Sequence, residues 1–340
     1  MNKHNHHTNQ NNHPNHSSRR DFIRQSVLAA AGATVSLDAL ARVPSASPAR
    51  PATVPIGAYS LNVFSKSLHW LDWAGLATAV AGMGFDGIDL TVRPNGHVLP
   101  ERVAEDLPRA VEIIRKAGLK VYMITTAITK ADEPHTEAIL KTANSLGIAY
   151  YRMGWIEYDA KKSMEENIKA IQAQLVKLAA LNKKYNMHGG YQNHSGANFG
   201  SPVWDLWMNT KDIDPQWIGS QYDILHATVE GANSWPLGLR LLKSHVRTMD
   251  IKDFHWSKTN DGWKTEVVPL GEGMIDYKRY LGLIKEYNIA GPFSLHFEYD
   301  LGGAESGAKT TTMKPEDIFA KLKKDVVTFK MWISQAGLTA

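Results

Sequence analysis

From about residue 54 onward, short β-rich runs alternate with longer stretches whose apolar residues recur at helical spacing. The runs fall at 55–60, 87–92, 120–125, 149–153, 188–194, 218–223, 246–252 and 293–299, and each is predicted to be a strand. Between the fourth and fifth, Ser163 and Glu166 form a capping box ahead of Ile168, Ile171, Leu175 and Leu178, the clearest helix in the chain. Pro108 suits the first turn of another helix, which runs to Lys116 and stops at Gly118. A last helix starts near Pro315 and sets Ile318, Leu322, Val326, Phe329 and Ile333 on one face.

Strands that alternate with helices in one continuous array predict an α/β chain, a single-domain (β/α)8 TIM barrel over 54–340. An open doubly wound sheet shares the local pattern, but no G-x-G-x-x-G follows the first strand. Gly82, Met83 and Gly84 precede the second instead, which disfavours a dinucleotide fold. In a barrel, chemistry belongs where strands end and loops begin.

The chain ahead of the barrel has a different character. Ser18, Arg19, Arg20, Asp21, Phe22, Ile23 and Arg24 resemble a twin-arginine export signal, followed by a mildly apolar run from Val27 to Leu40 and an Ala39-Leu40-Ala41 cleavage pattern. This reading makes 1–41 a signal segment, 42–53 a linker, and the mature protein periplasmic. The run is too weakly apolar, and is interrupted by Asp38, so no permanent membrane span is expected. A His/Asn-rich tract with His4, His6, His7, His13 and His16 lies ahead of the arginines and is read as part of the discarded leader.

Composition then narrows the function. Hydrophobic residues make up 43% of the 340 and charged residues 21%, which is ordinary for a globular protein. The formal charge of +4 falls to +2 without 1–41, whose four basic and two acidic residues are removed, so no nucleic-acid partner is expected. The absence of cysteine excludes disulfides, thiolate metal sites and a thiol nucleophile. A homo-oligomer is left open.

Ionisable residues collect at four successive strand ends: Gln192 and His194, Asp223, Asp250 and Lys252, and His296 and Glu298. Convergence of Gln192, Asp223, Asp250 and Glu298 at one barrel mouth would make an all-oxygen ligand set suited to Mg²⁺, Mn²⁺ or Ca²⁺. Asp89, Arg93 and His97 after the second strand, and Arg152 after the fourth, are candidates to bind sugar hydroxyls. Glu298, His194, His226, Lys252 and Glu157 are candidate proton carriers. Trp155 and several other tryptophans fall in or near loops, where their faces could stack on sugar rings.

The order of these motifs resembles the sugar phosphate isomerase/epimerase family of xylose isomerase-like barrels. The resemblance runs from about Ile56 to Gln335. It rests on Gly87 to Leu90, Arg152 to Gly154, Gln192-Asn193-His194, Asp223 with His226, Ile251-Lys252-Asp253, Gly271-Glu272-Gly273 and Glu298. It implies a divalent metal (Mn, Mg, Co or Ca) held by a Glu, an Asp, a His and a Glu. Asp223 and Glu298 match, while Gln192 stands at the first Glu position and Asp250 at the His position. Family epimerases move a proton between two metal-bound glutamates, and a glutamine has no useful proton affinity, so this chain lacks one member of that pair. The resemblance and the export signal together lead to a metal-assisted isomerase/epimerase, lyase or hydratase acting on a neutral sugar or an oxidised glycoside through an enolate. A non-catalytic sugar-binding barrel, and a glycoside hydrolase using Glu157 and Glu298 as its two carboxylates, are the alternatives.

Overall fold

A computed structural model describes residues 57–338 of the chain. The signal segment, the linker and the first residues assigned to the domain lie outside them. Eight parallel strands close into a barrel: β1 (Leu61–Phe64), β2 (Gly87–Thr91), β3 (Lys120–Thr125), β4 (Tyr150–Arg152), β5 (His188–Gln192), β6 (Ile218–Asp223), β7 (Val246–Ile251) and β10 (Phe293–Leu295). Pairing of Leu61 with Phe293 and of Phe293 with Met249 shuts the ring between the first, last and seventh strands. Two strands outside the ring, β8 (Asp253–Thr259) and β9 (Gly262–Val268), make an antiparallel hairpin directly after β7.

The first strand corrects the expectation of 55–60. Residues 57–59 form a turn, with Gly57 at φ 68° and Tyr59 at φ 59°, a left-handed backbone that cannot extend. The Ser60 hydroxyl ties the turn shut by donating to the Gly57 carbonyl at 2.7 Å. Extension therefore starts at Leu61. The last strand is also shorter than expected, ending at Leu295, so His296 and Glu298 belong to the loop beyond it.

The helices pack outside. The Ser163 capping box is formed, with the hydroxyl accepting from Glu166 N and the Glu166 carboxylate accepting from Ser163 N, and it starts α4 (Met164–Lys184), the fourth helix in chain order. The second helix, α2 (Val103–Lys116), begins five residues before Pro108. The proline is thus interior and not in the first turn, as a short 3-10 turn over Pro100–Arg102 leads the chain into the helix earlier than the proline suggests. Gly118, at φ 82°, follows its end. The closing helix, α9 (Pro315–Ala336), buries Ile318, Leu322, Val326 and Phe329, and Ile333 is partly buried against the same core.

Strand alternation splits the side chains into two sets. Leu61, Val63, Ile88, Leu90, Tyr222, Met249 and Ile251 join the helical residues Leu76, Val80, Leu107, Val111 and Ile114 in one apolar core. The opposite set is mostly polar and points into the barrel, with Phe64, Met123 and Tyr150 among its apolar members. Ser294 Oγ donates to Asp89 Oδ2 at 2.8 Å, spanning β1, and such a bond can form only through the interior. A barrel lined with polar side chains is costly unless each finds a partner. The groups that do not are informative. Among the described residues, no helix is long and apolar enough to cross a membrane.

Candidate functional site

The C-terminal ends of β4 to β7 and the loop after β10 bring their polar residues into one buried cluster. Asp223, the last residue of β6, has three tasks. Its Oδ1 caps the following helix by accepting from His226 N at 3.2 Å, and its Oδ2 accepts from Gln192 Nε2 at 2.9 Å and lies 3.2 Å from Lys252 Nζ. Asn193 fixes the backbone beneath it, donating to the Asp223 carbonyl and accepting from its N–H, both at 2.9 Å.

Lys252 is the hub. Its ammonium sits 2.9 Å from His226 Nε2 and 3.0 Å from Glu298 Oε2, besides Asp223, and the side chain is almost fully enclosed. Burial alone would lower the Lys252 pKa, but the charges of Asp223 and Glu298 outweigh it and hold it above the ordinary lysine value. The group is a fixed cation and not a proton shuttle. Glu298 is placed against a second ammonium, with Oε1 2.9 Å from Lys66 Nζ. Its burial favours the neutral form, yet Lys252 and Lys66 prevail and keep its carboxyl well below the usual range.

The hydrogen bonds assign the histidine tautomers. An ammonium only donates, so His226 Nε2 accepts from Lys252, and its Nδ1–H faces Ser195 Oγ at 2.8 Å. Burial, followed by the Lys252 charge, lowers the His226 pKa well below the histidine norm. His194 directs Nδ1 at the Ser195 carbonyl, 3.0 Å away, so that nitrogen carries the proton and Nε2 keeps its lone pair without a bond among the described residues. The two rings lie 3.8 Å apart, and burial, with Lys252, lowers the His194 pKa too. Trp155, 46% exposed, covers His194 at 4.7 Å between ring centroids.

The four expected metal ligands are not presented as one set. Gln192 turns its amide oxygen to the Arg152 guanidinium at 2.8 Å and its Nε2 to Asp223 at 2.9 Å, so its oxygen is already engaged and not presented to a metal ion. Glu298 is taken by the two lysines. Asp223 and Asp250 instead meet His296, each with one ligand atom within 4.8 Å of the others. Asp250 Oδ1 accepts from Gln221 at 2.7 Å, while its Oδ2 is buried without a partner. His296 Nε2 lies 3.2 Å from Asp250 Oδ1 but outside hydrogen-bond alignment, leaving both ring nitrogens unsatisfied. Burial, and then the Asp223 charge, push the Asp250 carboxyl well above its usual range.

The remaining candidates separate. Asp89 is fully buried, with Oδ1 accepting from Thr125 and Oδ2 from Ser294, which makes it a tie between strands rather than an open contact for sugar. His97 turns Nδ1 to Ser65 and Thr91 at 3.2 and 3.3 Å and lines a cavity of about 280 Å³ with His69, Asp72, Trp73 and Lys309, a cavity to which none of the lysine cluster contributes. Glu157 is exposed and makes no ion pair among the described residues. Arg152 and Arg93 do reach the mouth, with their guanidinium carbons 5.2 and 5.5 Å from the Phe64 ring centroid. Phe64 and Lys66 escape the sequence reading because the first strand was placed one turn too early, which hid the residues at its true end. His296 shares the strand face of Glu298 in that reading but was not counted as a ligand. The Asp of the Lys-Asp pair is structural: Asp253 accepts from the backbone of Phe254, Gly271, Gly273 and Ile275. A Cβ at Gly273 would strike its carboxylate, which accounts for the Gly-Glu-Gly motif.

Several solved structures with this fold bear the names of sugar epimerases. An L-ribulose 3-epimerase matches with a TM-score of 0.63 at 14% identity, over 82% of this chain and 95% of that one. The 3-keto-D-glucoside 4-epimerase YcjR from E. coli gives 0.59 at 12% identity, over 80% and 99%. An IolI protein with a bound zinc atom gives 0.62 at 17% identity, over 82% and 99%. At these identities the likeness is one of fold. No curated protein matches the sequence. Residues 77–316, most of the chain and nearly all of the barrel, match the family profile described as xylose isomerase-like TIM barrel, and the chain belongs to that family.

Proposed function

We propose that the barrel mouth is the active site of a carbohydrate isomerase or lyase that moves a proton on a carbon next to a carbonyl, with His194 as the proton carrier. The observation that carries this reading is the unoccupied lone pair of His194 Nε2 beside an exposed tryptophan face. Lys252, His226 and Glu298 are locked into one another, and a carboxylate between two ammoniums is a weak base. One available base favours elimination, hydration or isomerisation on a single face of the sugar over epimerisation, which needs proton carriers on both faces. The same locking opposes a two-carboxylate glycosidase, which requires a protonated acid where Glu298 is held ionised and Glu157 lies exposed.

A divalent cation fits Asp223, Asp250 and His296, since the unpartnered Asp250 Oδ2 and His296 Nε2 are buried donor atoms of the right kind. When bound there, it would polarise a substrate carbonyl and lower the cost of the enolate. The chain's own residues do the rest. Trp155 offers a stacking face, Ser195 and Asn193 fix the positions of His194 and Asp223, and Lys252 holds His226 neutral and Glu298 charged. The sugar epimerases that share this fold, together with the export segment expected from the sequence, favour a carbohydrate found outside the cytoplasm as the substrate.

Solvent-deuterium exchange into ketoses and 3-oxo-glycosides, followed by NMR with Mn²⁺, Mg²⁺, Co²⁺ or Ca²⁺ added, tests the reading. A His194→Asn variant is expected to exchange about 100-fold or more slowly than the wild type. Equal exchange in the two would remove His194 from the mechanism, and no exchange with any ketose would remove the reaction class.

A further inference from the structure

Phe64 ends β1 at the floor of the mouth, with His296 stacked on it at 4.4 Å between centroids. Three cations gather about the same ring: Arg152 at 5.2 Å, Arg93 at 5.5 Å and Lys66 at 5.7 Å. Lys66 is neutralised by Glu298. The two arginines are not neutralised, since neither makes an ion pair with a carboxylate among the described residues. Arg152 is only 5% exposed, its one hydrogen bond goes to the neutral Gln192 amide, and its Nε is buried without a partner. Asp89, a buried carboxylate of the wall, already serves Thr125 and Ser294.

Aromatic faces compensate a guanidinium in part, and Arg152 also lies 5.8 Å from the Trp155 ring. They do not satisfy its N–H groups. Two planar forks without a counter-ion beside one ring, one buried and one partly exposed, form a site for an oxyanion, because a carboxylate or phosphate accepts paired N–H bonds from such groups. The same pair would repel a cationic substrate and gain little from a neutral one.

We propose that the substrate carries an oxyanion and that this group docks on Arg93 and Arg152 over Phe64, so that the carbohydrate handled here is a sugar acid or a sugar phosphate. This rests on the reading of the mouth as a carbohydrate site. The shared chemistry is a planar or tetrahedral oxyanion attached to a sugar, placed on the Phe64 side of the mouth, with the reacting carbon toward His194.

Calorimetry on the full-length protein with matched sets decides the matter: glucose, glucuronate and glucose 6-phosphate, and the corresponding galactose compounds. At least one anionic member is expected to bind about tenfold or more tightly than its neutral partner, and added salt is expected to weaken it. The arm that binds separates carboxylate from phosphate. Arg93→Met, at the partly exposed position, should weaken the anionic member about tenfold more than its neutral partner, and Arg93→Lys should restore part of the preference. Neutral sugars binding as tightly as the acids, no anionic member binding at all, or Arg93→Met weakening both classes equally would overturn the proposal. Deuterium exchange into a neutral ketose without any anion preference would leave the proton chemistry standing and sink only the oxyanion site.

Discussion

At the scale of single residues, the mouth is organised by one ammonium. Lys252 binds two carboxylates and a neutral imidazole, and its own side chain and that of Asp223 are closed off from solvent. Removing one partner of such a buried set strands the others, which costs about 3–5 kcal/mol. Lys252→Met is therefore expected to lower stability by about that amount in urea unfolding, whereas a surface lysine such as Lys116 changed to Met should cost under about 1 kcal/mol. The sequence exposed much of this cluster, because a polar residue at the C-terminal end of a parallel strand is out of place unless it works. What it could not give is the pairing. Which end of the Gln192 amide faces which neighbour depends on Arg152, forty positions away, and no spacing along the chain encodes it.

At the scale of elements, the most legible pieces were those whose signals are local. The capping box of α4 forms as its two residue types require, and Ser163→Ala is expected to cost about 1 kcal/mol of stability by urea unfolding without altering deuterium exchange at the mouth. The least legible element is the β8–β9 hairpin. Its strands pair Trp256 with Thr265 and Lys258 with Trp263 across a turn containing Asn260 and Asp261, leaving Trp263 65% exposed. A two-stranded ribbon with one face open to solvent has neither the continuous apolar run of a barrel strand nor the period of a helix. It passed for a loop. The boundary errors at β1 and β10 have a different origin. Both lie where the barrel closes, and the extent of pairing there is set by a partner strand more than two hundred residues away.

At the scale of the whole molecule, burial of histidines makes stability depend on pH. His188, at the start of β5 and away from the mouth, is enclosed, with Nδ1 3.2 Å from the Gln216 carbonyl, and burial, helped by Arg247, lowers its pKa to about 3. Its folded value lies below its unfolded value, so between those two pH values the unfolded chain binds a proton that the folded chain refuses. The contribution is complete above about pH 6.5 and is lost as the pH falls toward 3. His69 and His97, lowered by burial to about 3 and about 4, act in the same direction. Urea midpoints are expected to fall from pH 7 to pH 4.5, and His188→Gln to reduce that slope by up to about 1.4 kcal/mol per pH unit. An unchanged slope would show that the ring is not enclosed as described.

The ring's closure also sets when this chain can finish folding. Leu61, Asn62 and Val63 pair with Phe293, Ser294 and Leu295, so the first strand waits for the last before it has both neighbours. Until then, a growing chain is an open sheet with two unpaired edges, the form most prone to join the sheet of another molecule. Contacts of such long range also make folding slow. A chain that stops short of β10 is for this reason not a weaker barrel but a different object, a curved sheet with sticky margins, and the final forty-odd residues act as the clasp that makes the rest safe in solution.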